Sequence, residues 1–420
     1  MRCWTGTAVV SPAVQDPHCG PGPLNGYRVL DLTSVIMGPL ATQILGDLGA
    51  DVITVESPDG DLNRVMSPGP HPQMSGIALN ILRNKRNVVL DLKDPAGHEA
   101  VLRIARTCDV VVTNLRPRSL ERLRLTYLEV AAVRPDIVYC QAQGFPGDGP
   151  RANDPAYDDI IQSAGGVAAA FDAALGRPGL APTIMADKVC ALTIVYAVLA
   201  ALLHRQGGGV GQRIEVPMVD AMTAFILVEH GAGAISAASP GVPGYSRILT
   251  PSRRPQPTAD GWIHILPYTA AHYDALFVYG GRPDLVGDPR CASLPACIAN
   301  SDFLYRTVES MTPGHTTQQW LSVCAGHQVP ATRVPSLADL VAELPSAEHP
   351  QFGRYKQIPP PVRFSATPAG VRRPAPLIGQ DTAEVLAEVG CSAAEVEYLS
   401  SVHHQDRAPS ALPTIREPRQ

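Results

Sequence analysis

The chain has 420 residues, with 34 Lys and Arg against 39 Asp and Glu, a formal net charge of −5, and 45% hydrophobic residues. This balance, without a long basic block, argues against a nucleic-acid partner or an anionic membrane surface, and the length makes two domains the default. Nine scattered cysteines form no CxxC pair and no Cys/His zinc spacing, so reduced thiols, no structural metal and a cytoplasmic location are expected.

Residues 1–23 contain Cys3, Cys19 and several prolines, with no apolar core of secretory length, and read as a loosely ordered extension. Gly26 to Glu56 then reads as strand, turn, helix, strand. The run Tyr27 to Leu32 is apolar and β-branched, Thr42, Leu45, Leu48 and Gly49 fall at helical spacing, and Asp51 to Val55 is a second strand. In a dinucleotide enzyme the first turn would read GxGxxG, and Glu56 would bond the ribose. The turn here, Thr33-Ser34-Val35-Ile36-Met37-Gly38-Pro39, has one glycine, so the expectation is a Rossmann-like fold whose ligand is not NAD.

The order β, α, β continues with a strand at Asn87 to Leu92, a helix at Pro95 to Thr107 and a short strand at Asp109 to Val112. A single helix is expected over Leu120 to Val133, followed by a strand at Ile137 to Ala142, which together favour a doubly wound parallel sheet. Gly144 to Pro155 is a loop rich in Gly, Pro, Asp and Asn. The longest apolar run, Val189 to Leu203, falls short of the roughly twenty residues that span a bilayer and reads as a buried helix, so no membrane partner is expected. Gln212 to Met218 reads as a strand and Val219 to His230 as a helix. The expected layout is an α/β large domain over 24–230, a linker at 231–258, a smaller α+β domain over 259–345, a return linker at 346–376, C-terminal helices over 377–402 and a tail at 403–420.

Seven stretches in this order resemble the class III CoA-transferases, the CaiB/BaiF group. They are VLDLTSVIMGPLATQILGDLGADVITVE, NKRNVVLDLKDPAG, DVVVTNLRPRSLERL, PAYDDIIQSAGG, MADKVCAL, GQRIEVPMVDAM and PAPLIGQDTAEVL, and the resemblance covers Gly26 to Leu399. It implies a nucleophilic aspartate at Asp187, which would attack an acyl-CoA thioester and then carry CoA as an enzyme thioester until an acceptor acid reverses the steps. From the residues alone Asp187 stands before a helix, where an N-cap role is the alternative. The resemblance further implies CoA contacts at Ile36 and Met37 in the first turn, at Leu90, Leu92 and Lys93, at Asn114, Leu115 and Arg116, at a phosphate-binding Arg122, and at Tyr157 and Asp158 beside the catalytic carboxylate. Read alone, Ile36 and Met37 are equally core, the arginines and Lys93 surface charges, Tyr157 a ring packed under its own loop, and Asp158 a helix cap.

Departures narrow the reading. Formyl-CoA members carry a His and a Gln in the first turn and a run of glycines further on, where this chain has Ser34, Val35 and Ile36 and no such run after Gly211. An arginine of some members corresponds to Ser57, and Arg247, Arg253 and Arg254 are candidates for an acceptor carboxylate. The α-methylacyl-CoA racemases of the same superfamily use a His where Tyr157 stands, so a racemase ranks second, ahead of an NAD oxidoreductase or a non-catalytic acyl-CoA-binding protein. Family members are interlocked homodimers, so a homodimer acting on acyl-CoA and carboxylic acid substrates is expected, with coenzyme A and no metal, flavin or nicotinamide.

Overall fold

The computed structural model describes residues 22–238 and 241–401; the tail at 403–420 and all but the last two residues of the 1–23 extension lie outside the described residues. Two compact units emerge, one formed by 22–156, 187–218 and 345–401 and the other by 157–186 and 219–344.

The first unit is built on a six-stranded sheet of β1 (Arg28–Leu32), β2 (Asp51–Glu56), β3 (Lys85–Val89), β4 (Val110–Thr113), β5 (Val138–Gln143) and β6 (Arg213–Pro217). Every pairing is parallel and the spatial order is β3-β2-β1-β4-β5-β6. Alternation along a strand decides which residues face which layer. Leu30 and Leu32 join Ile53, Val88, Val111 and Tyr139 in a core under the helices Pro95–Arg106, Thr382–Glu388 and Ala393–Ser401. Asp31 points to the opposite face, toward the helix Met37–Asp47.

That opposite face contains a fully buried ion pair. Lys85 Nζ lies 2.9 Å from Asp31 Oδ2, with both side chains at 0% exposure. The ammonium also donates to Pro39 O at 2.9 Å and Thr42 Oγ1 at 2.8 Å. Asp31 Oδ1 in turn accepts from the Thr33 amide at 3.0 Å and hydroxyl at 2.5 Å. All three ammonium protons and both carboxylate oxygens therefore have partners, the condition under which a buried pair is tolerated. The neighbouring Arg86 points the other way, to Asp51 at 2.7 Å and Glu388 at 2.7 Å.

Strand β3 lies at the sheet edge, and its outward amides are capped by the C-terminal segment. Asn87 N–H donates to Asp381 Oδ2 at 2.7 Å, Val89 N–H donates to Thr382 Oγ1 at 3.1 Å, and Gly379 N–H donates to Asn87 Oδ1 at 2.6 Å. An edge covered in this way cannot pair with another strand. The stretches NKRN and GQDT, some 290 residues apart in the chain, thus act as partners.

The second unit has a three-stranded antiparallel sheet, β7 (Gln256–Thr258), β8 (Gly261–Ile265) and β9 (Ala331–Arg333), packed with the helices Ala270–Tyr279, Ser301–Met311 and Thr317–Gly326 around Trp320, Phe277 and Leu276. Trp320 Nε1 donates to Thr312 O at 3.0 Å, so the largest core side chain is also hydrogen-bonded.

Three expectations are corrected. The helix expected over Leu120 to Val133 is two, Pro117–Leu123 and Tyr127–Val133, because Arg124 turns left-handed at φ 53° and Thr126 starts a new capping box with Glu129. The stretch 346–376 holds an antiparallel hairpin of β10 (Ser346–His349) and β11 (Gly353–Lys356), which lacked a clear alternation to reveal it. The helix read as buried over Val189 to Leu203 runs from Met185 to Gln206 and is embedded on one side only: Ile194 and Val198 are fully buried, while Leu192, Tyr196 and Leu203 are more than half exposed.

Replacing Lys85 by Met leaves the Asp31 carboxylate buried without its counter-ion. We expect a loss of about 3–5 kcal/mol, measured as a fall in the urea midpoint at pH 7.

Candidate active site

Strand order reverses between β1 and β4, the place where open α/β sheets bind ligands beyond their carboxyl ends. Two segments meet there, 33–36 after β1 and 114–116 after β4. Asn114 joins them with two bonds, Oδ1 accepting Ser34 N–H at 3.0 Å and Nδ2 donating to Ser34 O at 2.8 Å. The next residue, Val35, has φ +71°, a left-handed conformation that is unusual for a β-branched side chain and costs about 1–3 kcal/mol.

Side chains from the loop after β2 hold Val35 in place. Its N–H donates to both carboxylate oxygens of Asp61, at 3.1 and 3.2 Å, and Asp61 also accepts Asn63 N–H at 2.8 Å. Asn63 Nδ2 donates to Val35 O at 3.3 Å, while the buried Asn63 Oδ1 finds no partner among the described residues. Backbone strain and an unsatisfied buried acceptor thus concentrate at one turn, a pattern associated with function rather than with folding. Gly38 follows because a Cβ there would fall within 2.3–2.6 Å of the Thr33 side chain.

The hydrogen bonds give a physical counterpart to the missing glycine pattern. The Ser34 and Val35 amides already have side-chain acceptors, so these two do not face outward as an anion cradle. Glu56 is likewise engaged, pairing with Arg64 at 2.6 Å and accepting from Asn87 Nδ2 at 2.6 Å and Asp61 N–H at 2.8 Å. Asp61 and Asn63 were not singled out in the sequence, although Asp-x-Asn in a Gly-rich loop is a turn signal. Burial is the main reason the Asp61 carboxyl is pushed up to about 6, with nearby Glu56 adding to it.

Of the other candidates in this unit, Ile36 and Met37 are buried beneath the turn at 5% exposure each. Leu90 is in the core, with Leu92 and Leu115 packed against it, and Lys93 is exposed just before the helix Pro95–Arg106. Arg116 and Arg122 come together with Arg118, Ser119, Glu121 and Asn153 around a cavity of about 430 Å³. Arg116 Nη1 donates to Asn153 O at 3.3 Å and Arg122 Nη2 to Ser119 Oγ at 3.4 Å, leaving much of both guanidinium groups facing the cavity. Ser57 is exposed.

Asp187 is the third residue of the helix Met185–Gln206, inside its first turn rather than at the cap, and is 8% exposed. A carboxylate there is favoured as an anion by the helix dipole. In the second unit Tyr157 caps the helix Asp158–Ala164 and is 64% exposed instead of packed under its loop, while Asp158 accepts from Gln162 Nε2 at 2.6 Å. Arg254 is paired with Glu309 at 2.9 Å, Arg253 is exposed, and Arg247 stacks on Tyr268 and donates to Tyr305 Oη at 3.2 Å. The described residues hold no group of three or more His, Cys, Asp or Glu suited to a metal. Their seven cysteines form no disulfide, and burial pushes Cys108 and Cys140 up to about 12, which keeps both as thiols.

The chain belongs to CoA-transferase family III, whose family model matches residues 24–382. It is 30% identical over 382 residues to a succinate–glutarate CoA-transferase of Agrobacterium fabrum, covering 87% of this chain and 96% of that one. It is 29% identical over 399 residues to a formyl-CoA:oxalate CoA-transferase of Afipia carboxidovorans, covering 87% and 93%. Its structure is similar to the crystal structure of a CaiB/BaiF family protein from Brucella suis, with a TM-score of 0.75 and 28% identity over 88% of this chain and all of that one. The protein is a class III CoA-transferase enzyme, and CoA thioesters are substrates of this class.

Asp61 makes the turn sensitive to pH. Its folded pKa lies above the usual 3.8, so its contribution to stability is complete below about pH 4 and is lost as pH rises through about 6. Relative to Asp61→Asn, the natural protein should lose about 2 kcal/mol between pH 4 and pH 7, after allowance for partial exposure. Urea unfolding of both proteins across that range checks the sign and the size.

Proposed function

We propose that the enzyme moves CoA from an acyl-CoA to a carboxylic acid through covalent intermediates on Asp187. Support comes from family membership together with a nearly buried carboxylate in the first turn of a 22-residue helix, in the stretch MADKVCAL where the resemblance implies the nucleophile. An Asp187 oxygen attacks the thioester carbonyl, the C–S bond breaks, and a mixed anhydride forms with release of CoA thiolate. The thiolate sulfur then attacks the aspartyl carbonyl and expels the donor acid, which leaves an enzyme CoA-thioester. An acceptor carboxylate attacks that thioester to form a second anhydride, and the returning thiolate takes the acceptor acyl group and regenerates Asp187.

In this reading CoA lies across the carboxyl ends of β1, β3 and β4. The first turn and the 114–116 loop border it, Leu90, Leu92, Lys93 and Leu115 flank it, and the cavity lined by Arg116 and Arg122 takes phosphate oxygens, a planar match suited to guanidinium groups. Tyr157 and Asp158 are assigned to CoA binding by the family resemblance.

A cytoplasmic homodimer completes the proposal. The helix Met185–Gln206 is long and apolar enough to cross a membrane by length and composition, but it is held by its buried face, Cys190, Ile194 and Val198. Its exposed Leu192, Tyr196 and Leu203, at offsets of four and eleven residues, form one stripe, and a second copy of the chain is the cover that suits it.

Three outcomes are expected. Mass spectrometry of the enzyme mixed with a panel of acyl-CoAs should find a CoA or acyl adduct on the Asp187 peptide, and Asp187→Ala should lose the adduct and on the order of 10³-fold or more in rate; transfer that survives this substitution would sink the mechanism. Arg122→Ala should raise the acyl-CoA KM about tenfold with little change in kcat, as loss of one charge-assisted contact predicts. Light scattering should give a dimer that Tyr196→Glu weakens.

A further inference from the structure

We propose that Asp61 is a positioning residue for CoA binding: its carboxylate holds the Val35 amide and thereby keeps the first turn in the left-handed form that the ligand meets. This inference rests on the reading that CoA lies against the 33–36 turn.

The geometry isolates Asp61 as the group that decides the turn. Ser34 is clasped from one side by Asn114, through bonds that leave the Val35 φ angle free to relax. The Val35 amide has its bonds to Asp61 alone among the described residues, and the Asn63 contact to Val35 O is longer, at 3.3 Å. A valine released from that carboxylate would move toward negative φ, where β-branched residues are at ease. Such a movement would swing the partly exposed Val35 out of its place at the tip of the turn, while Ser34 stays clasped by Asn114 and Ile36 and Met37 stay anchored below.

Asp61 is itself held in place. Its N–H donates to Glu56 Oε2 at 2.8 Å, Glu56 is pinned by the buried Arg64, and the short helical turn Leu62–Arg64 begins at Asp61. The carboxylate is thus aimed by β2 at a turn that follows β1. The carboxylate acts on the turn through the Val35 amide, so its effect should fall on ligand affinity and spare the covalent steps.

Glycine at position 35 separates this role from simple structural support. Glycine adopts φ +71° without strain, so the turn no longer needs the carboxylate to hold it. Asp61 also accepts Asn63 N–H, and glycine at 35 does nothing to replace that bond. We would measure the CoA Kd by titration calorimetry, and the acyl-CoA KM and kcat, for the natural protein, Asp61→Ala, Val35→Gly and the double variant, as a cycle.

The expected result is a rise of about tenfold in Kd and KM for Asp61→Ala with kcat within about threefold, and a double variant within about threefold of Val35→Gly alone. An unchanged Kd in Asp61→Ala, or the same loss with glycine at 35 as with valine, overturns the proposal. If Asp61→Ala does not fold, Asp61→Leu is read in the same cycle, since its side chain keeps the volume and removes every acceptor. CoA binding that is normal and indifferent to Asp61, in an enzyme that still forms the Asp187 adduct, sinks this inference alone. A natural protein that binds no CoA sinks this inference together with the reading of the turn.

Discussion

The contact between Lys85 and Asp31 organises the first unit. Neither side chain reaches solvent, so each ion is tolerable only because the other is present and because Thr33, Thr42 and Pro39 O satisfy the remaining valences. Those partners come from β1, from the turn after it, from the first two turns of the following helix and from β3. A slip of one residue in β3 would turn Lys85 into the opposite layer and bring Arg86 to Asp31, away from Asp51 and Glu388. The pair therefore specifies the register of the three strands beneath the candidate site more than it adds to net stability.

The turn built on this base replaces one device by another. Dinucleotide folds keep the first turn open with glycines, so that its amides reach a pyrophosphate. Here side chains from two neighbouring loops occupy the amides at 34 and 35, and a valine accepts a left-handed conformation that glycine would adopt without strain. The turn becomes a fixed edge beside the crevice, and Arg116 and Arg122 on the β4 side face open space. A CoA substrate, with a long neutral pantetheine arm and charges concentrated at one end, suits that division better than a ligand whose charge lies at its centre.

The C-terminal segment contributes to the same economy of polar groups. Asn84 and Asn87 at the outer edge of β3 receive the returning chain, with Asn84 Oδ1 accepting from the Arg372 and Arg373 amides and Asn87 bridging Gly379 to Glu56. Burial raises the Asp381 carboxyl, and its bond to the Asn87 amide and the charge of Arg373 counter only part of that rise. The edge of the sheet and the support of the first turn are thus joined through Glu56, which serves Asn87 on one side and Asp61 on the other.

Much of this was legible in the residues. Short continuous apolar runs with helical spacing between them place the strands of the sheet, because burial on both faces demands continuous Val, Ile and Leu, and the one-glycine turn already argued against a pyrophosphate cradle. The seven ordered stretches identified the family, since short motifs in sequence order survive where no single one is specific. Arg124, which breaks one expected helix into two, and the 346–356 hairpin were not legible, because a left-handed residue and an irregular edge leave no periodic trace. Nor were the roles of Asp61, Asn63 and Asn114. Local composition determined which segments are strands and helices, and therefore the class of fold; only the tertiary structure decided that a carboxylate after β2 and an amide after β4 close upon the turn after β1, because those contacts depend on strand order, and strand order is set by packing between residues distant in the chain.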